Sequence, residues 1–136
     1  PADANDKWFY RLINVTNSSA DLISGAFLSK SDGEATATAA VDIAAGSDLV
    51  KFLFIKNTGT TDGTTTTDES IYICFDGGTA AHNLADAIEI GAGESWYGKL
   101  PSTTVGNLHA VSGDSGASSS GEGNVQCVVA AIIDDV

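Results

Sequence analysis

Residues 49–56 read Leu49-Val50-Lys51-Phe52-Leu53-Phe54-Ile55-Lys56, a run of aromatic and β-branched types that pairs with a period of two. As a strand it sets Leu49, Lys51, Leu53 and Ile55 on one face and Val50, Phe52 and Phe54 on the other. Neither face is polar, whereas a sandwich strand with one side in water alternates cleanly. The same doubling recurs at both ends of the chain. Val125 to Ile133 is apolar on both faces apart from Gln126, and Trp8, Tyr10 and Leu12 oppose Phe9, Ile13 and Val15. Part of this excess belongs to central strands buried between layers. In a chain this short, the rest predicts a face that meets another subunit or a larger assembly. The candidate interface is Trp8, Phe9, Tyr10, Phe52, Phe54, Trp96, Tyr97, Val128 and Ile132.

Working outward, the period-two pattern continues through residues 8–15, 20–29, 35–43, 70–75, 86–90, 95–100, 107–112 and 125–133. Turn formers separate these runs: Asp32-Gly33, Gly46, Asp62-Gly63, Asp76-Gly77-Gly78, Gly91 and Gly93. Eight or nine short antiparallel strands at this spacing predict an all-β chain, a β-sandwich or jelly roll. Only residues 80–87 have room for a helical turn. The polar, small-residue stretches 59–68 and 113–123 read as exposed loops, the second a mobile one. Residues 42–50 echo residues 89–97, each a strand end, a Gly turn, an acidic residue and a second strand, as similar hairpins require. The division expected is an N-terminal arm at residues 1–7 and one sandwich domain at 8–136.

The chain's 136 residues are one domain's worth, and 43% hydrophobic against 18% charged is a globular composition. Six Lys and Arg against 18 Asp and Glu give a formal charge of −12, which argues against nucleic acid or an anionic membrane as a direct partner. No apolar run is long enough for a membrane-spanning helix, and PADANDKWFY lacks the basic-then-apolar pattern of a signal peptide. Cys74 and Cys127 both sit in apolar strand runs, where a thiol behaves as a small hydrophobe. A buried reduced pair is expected, with a strand-to-strand disulfide as the alternative.

Several motifs tempt towards chemistry. Thr79-Ala80-Ala81-His82 and Gly113-Asp114-Ser115-Gly116 resemble the general-base and nucleophile motifs of chymotrypsin-like serine proteases, in the right order. The interval between them is too short for the rest of one barrel, the carboxylate and most of a second. Asn83 replaces that family's Cys after the histidine, and Ala117 its second Gly after the serine. A small serine hydrolase is therefore the remote alternative. Asp68 to Cys74 resembles the tyrosine-corner strand of immunoglobulin variable domains, without the earlier Cys of that pair. His82 and His109 have no zinc-ligand spacing, and the loop acids Asp62, Asp68, Asp76, Asp114 and Glu122 lack a calcium-loop pattern. No catalytic residue, cofactor or metal is expected. Trp96, Tyr97 and Trp8 offer a sugar-stacking platform, against the plainer reading as core or interface aromatics.

Leu53 to Gly59, Ser70 to Gly78, Ile88 to Trp96, Lys99-Leu100-Pro101 and Asn107 to Ala110 form an ordered set before a last apolar strand. The order is strand, Asn-Thr-Gly, strand ending Asp-Gly-Gly, Gly-Glu turn, aromatic, Leu-Pro, small-residue strand. It resembles small β-sandwich virion proteins of tailed bacteriophages, chiefly head decoration (cement) proteins, over roughly two thirds of the chain. The resemblance implies a non-enzymatic protein that binds the outer capsid surface, with the major capsid protein as partner and the chain itself a homo-oligomer. It also implies a virion location after synthesis in the host cytoplasm. The alternative is a receptor- or glycan-binding module of a tail or fibre.

Overall fold

The structure, a computed structural model, describes residues 6–25, 42–114 and 123–136. Among these the chain is all β, with eight strands: β1 (Asp6–Val15), β2 (Ala20–Asp21), β3 (Leu49–Asn57), β4 (Ser70–Cys74), β5 (Ile88–Ile90), β6 (Ser95–Thr104), β7 (His109–Gly113) and β8 (Val125–Asp134). They make two antiparallel four-stranded sheets, ordered β1-β8-β3-β6 and β2-β7-β4-β5. The pairings β1 with β8, β2 with β7, β3 with β6 and β4 with β5 all occur. The first four strands and the last four thus form one long antiparallel ribbon. Rolling that ribbon brings β8 beside β3 and β7 beside β4, which completes both sheets. This winding is the jelly-roll order, and it confirms the all-β sandwich expected from the sequence.

The core between the sheets is filled by alternate residues. Phe9 and Val15 come from β1, and Leu53 and Ile55 from β3. Ile71 and Ile73 of β4 face Cys127, Val129, Ala131 and Ile133 of β8. Asn57, fully buried, links the layers. Its Nδ2–H groups donate to the carbonyls of Glu69 at 2.9 Å and Ile90 at 3.2 Å, and its Oδ1 accepts the Gly59 N–H at 2.9 Å. A buried amide with partners on three segments fixes how the sheets stack.

Several elements differ from the sequence reading. In β3 the register shifts between Val50 and Phe52, a bulge that leaves Lys51 unmatched in the ladder. Strict alternation put Lys51 with Leu53 and Ile55. The extra residue instead lets Val50 join them inside, while Lys51 turns out to pair with Asp134 at 2.9 Å. β1 begins at Asp6, so Asp6 and Lys7 belong to a strand and not to an arm; residues 1–5 lie outside the described set. The expected strand at 20–29 is regular only at Ala20–Asp21 within residues 20–25. Of the strand expected at 35–43, all but Asp42 and Ile43 lie outside the described residues. Residues 80–87 form turns, and the single helical turn among the described residues is a 3-10 turn at Val105–Asn107. β6 runs past Pro101 to Thr104, as an edge strand allows. The loop 59–68 is an ordered hairpin with a Thr60–Thr66 bridge. The echo of residues 42–50 in 89–97 is one turn device used twice. Asp48 Oδ2 accepts the Ala44 N–H at 2.8 Å, and Glu94 Oε2 accepts the Gly91 N–H at 2.8 Å.

The two sheets differ on their outer sides. Tyr72 and Cys74 of β4 and Val111 of β7 are capped by Ala80 and Ala87 from the segment after β4, making a second small core. The Tyr72 ring lies across Gly113, where an added Cβ would stand 2.7 Å from the ring, and its hydroxyl donates to the Asp114 carbonyl at 2.8 Å. No described segment covers the outer side of the β1-β8-β3-β6 sheet in this way.

Candidate functional site: the open face of the four-stranded sheet

On that open side the register lines up side chains in rows across the strands. Trp8, Ile132, Phe52 and Lys99 form one row. Tyr10, Ala130, Phe54 and Tyr97 form the next, and Leu12, Val128, Lys56 and Ser95 the third. Each row is built by the same rule: residues two apart in β1, β3, β6 and β8 share a face, and antiparallel pairing sets them side by side. Trp8, Tyr10, Leu12 and Tyr97 are 42%, 53%, 60% and 71% exposed, unusually high for large apolar side chains. Phe52, Phe54, Val128, Ala130 and Ile132 are half-buried among them. The Phe52 and Tyr97 rings stand 6.4 Å apart in a tilted contact. The result is a contiguous aromatic and aliphatic platform facing water, the kind of patch that marks a contact surface.

Seven of the nine predicted interface residues are brought together here: Trp8, Tyr10, Phe52, Phe54, Tyr97, Val128 and Ile132. Two are not. Phe9 points inward and is 1% exposed, as its odd place beside Trp8 and Tyr10 requires. Trp96 also turns inward, half-buried against Phe75 with ring centroids 5.6 Å apart. Its indole lies across Gly98, where a Cβ would come within 3.1 Å of the ring, so glycine at 98 is what lets the ring lie flat. Leu12 and Ala130 belong to the platform but were not singled out. Their parity with Tyr10 and Val128 was the available signal.

The electrostatics of this sheet contrast with the chain as a whole, with Lys7 and Arg11 at the inward parity of Phe9 and Lys56 and Lys99 on the platform. Every Lys and Arg among the described residues, namely Lys7, Arg11, Lys51, Lys56 and Lys99, lies on this sheet, in a chain of net charge −12. Lys56 and Lys99 stand in the rows themselves. Arg11 sets its guanidinium 5.8 Å from the Phe9 ring centre.

The other candidates resolve differently. Ser115 lies outside the described residues, and His82 is half-buried against Gly113, 3.1 Å from where a side chain would begin there. His109 Nδ1 donates to the Gly78 carbonyl at 2.6 Å, while Nε2 faces Asp21 Oδ1 at 3.2 Å. A carbonyl oxygen can only accept, so Nδ1 carries a proton and the ring ties β7 to the loop after β4, with Asp21 of β2 beside it. Asp62 accepts from the backbone N–H and the hydroxyl of both Thr64 and Thr65, at 2.7–3.0 Å. These bonds hold its carboxyl at a pKa of about 2. Asp76 accepts the Gly78 N–H at 2.8 Å, and Glu122 lies outside the described residues. Among the described residues no group of three or more His, Cys, Asp or Glu side chains converges as a metal site.

Cys74 and Cys127 are free and buried, as expected. Cys127 lies in the main core and Cys74 in the small core on the far side of the second sheet, so the two cannot meet. Burial raises both thiol pKa values, that of Cys127 to about 12. No helix among the described residues is long and apolar enough to cross a membrane. Compared with protein-family models, with curated proteins and with solved structures, the chain matches none.

Proposed function

We propose that the chain is a non-enzymatic virion structural protein, a capsid decoration protein that attaches to the outer capsid surface and stabilises the head. The observation that carries this reading is the open aromatic face. One outer side of the sandwich is closed by the chain's own segment, and the other presents Trp8, Tyr10, Leu12, Phe54 and Tyr97 to water. A rigid sandwich with one unfinished apolar face is a building block, because burying that face is worth about 25 cal/mol per Å². Two further features support the reading. Double-sheet jelly rolls are a scaffold of viral capsid domains, an analogy at the level of fold. The charge of −12 opposes non-specific aggregation before assembly, and repetition over a capsid lattice multiplies a modest single-site affinity.

A glycan- or receptor-binding module is the second reading, favoured by the exposure of Trp8, Tyr10 and Tyr97. It is weakened because Trp96, the partner expected beside Tyr97 in a sugar-stacking pair, faces the core. Sedimentation of the purified chain with purified heads of its parent phage tests the first reading. Saturable binding in register with the capsid lattice supports it. Absence of binding to heads, with binding to surface polysaccharide of the host instead, replaces it with the second.

A further inference from the structure

We infer that the open face of the β1-β8-β3-β6 sheet is the contact surface for a second copy of this chain, the two copies packing sheet on sheet about a two-fold axis. This goes beyond the capsid reading: it gives the open face to another copy and leaves capsid attachment to the remaining surface of the dimer, so a chain that binds heads yet stays monomeric fails this inference alone.

Charge selects the face. Two chains of net charge −12 repel through most of their surface. On the outward positions of this sheet the carboxylates are Asp6 and Asp134, together at one end, where Lys51 pairs with Asp134 at 2.9 Å. The rows beyond carry Lys56 and Lys99 and no carboxylate. When copies meet through these rows, no carboxylate is set against another.

Relief and size fit the same occupant. Val128, Ala130 and Ile132 of β8 form a low floor between the aromatic ridges of β1 and β3. The ridges are two strand spacings apart, about 9.6 Å, enough for the Trp8 and Tyr10 ridge of another copy to enter. Four strands span about 19 Å, and about nine residues along each span about 31 Å. The face therefore covers on the order of 600 Å² per copy, or about 1,200 Å² for two, the lower limit of a specific interface. Such an area gives a reversible dimer that forms with rising concentration. A dimer also presents any capsid-binding surface twice.

The test is sedimentation velocity on the purified chain from about 1 to 200 µM, in low and in moderate salt. The expected result is a monomer–dimer equilibrium that tightens with salt, because screening relieves the repulsion between two acidic chains. Tyr10→Asp and Tyr97→Asp, both at exposed edge-strand positions, each weaken it at least tenfold with an unchanged circular dichroism spectrum. Leu84→Asp, in the segment after β4 on the opposite side, leaves it unchanged. A chain still monomeric at 200 µM overturns the inference. So does a closed trimer, a dimer indifferent to both tyrosine variants, or one that loosens with salt, the mark of lysines meeting another copy's carboxylates.

Discussion

Trp96 and Tyr97 are neighbours in β6 and stand on opposite sides of the sheet. Trp96 packs on Phe75 at 5.6 Å inside the sandwich, while Tyr97 is 71% exposed beside Phe52 on the outside. That division separates what holds the fold from what the fold offers. Inward aromatics fill the core, and outward ones form a platform that nothing within the described chain covers.

The separation has an energetic signature. Leu53→Ala, in the core between the sheets, is expected to cost about 2–5 kcal/mol, because it removes buried methyl groups and leaves a cavity. Tyr97→Ala, on the outer face, changes the stability of dilute protein by less than about 0.5 kcal/mol. Urea unfolding at 1 µM or below, where the chain is monomeric, compares the two. Comparable losses would mean that the outer face belongs to the monomer's own core.

Asn57 gives a second expectation. Asn57→Leu keeps the branched shape and the number of heavy atoms but leaves the Glu69 and Ile90 carbonyls and the Gly59 N–H without this partner. Each lost buried partner costs about 1–3 kcal/mol. Asn57→Leu is therefore more destabilising than its hydrophobicity suggests, and Asn57→Asp, which cannot donate, no better. Thermal unfolding of both variants checks this; a neutral Asn57→Leu would mean that the sheets are stacked by apolar packing alone.

The thiols should be chemically silent in the native protein. Burial lifts Cys127 to a pKa of about 12 and raises Cys74 as well, so neither is a thiolate at pH 8. Iodoacetamide is expected to label neither until urea unfolds the chain. Because the native thiols stay neutral, their contribution is intact below the ordinary thiol value of 9.0 and is lost as pH rises towards 12. Rapid labelling of native protein at pH 8 would contradict the packing of both cores.

Asp62 predicts an acid transition confined to its loop. Its native value of about 2 lies below the ordinary 3.8, so its bonds to Thr64 and Thr65 are complete above about pH 4 and fail as pH falls through about 2. The amide resonances of Thr64 and Thr65 should titrate with a midpoint near 2. A midpoint near 4 would show that the four hydrogen bonds are not held in solution.

Much of this was legible in the residues, and for identifiable reasons. Alternation in residues 8–15 and 125–133 placed Trp8, Tyr10, Val128 and Ile132 together on a face opposite Val15 and Val129, because strand parity is a local property. Lys51 broke the rule. A bulge adds one residue and reverses parity beyond it, and no periodicity shows where that happens. Phe9 and Trp96 entered the candidate interface for being aromatic, although parity with Val15 and Leu100 sets each inward. The order β1-β8-β3-β6 joins strands from opposite ends of the chain, and such non-local pairing leaves no trace in any short window. The closed side of the second sheet was equally hidden, since Ala80 and Ala87 look like loop residues until they meet Tyr72 and Cys74.

The central claim is that the open face is completed by another copy. Hydroxyl-radical footprinting of the purified chain at about 1 and about 200 µM, read out by peptide mass spectrometry, tests it most directly. The account predicts that oxidation of Trp8, Tyr10 and Tyr97 falls several-fold at the higher concentration. Trp96 and Tyr72, already packed within the monomer, should not change. Equal oxidation of Trp8, Tyr10 and Tyr97 at both concentrations would show that the face stays open and would contradict the account.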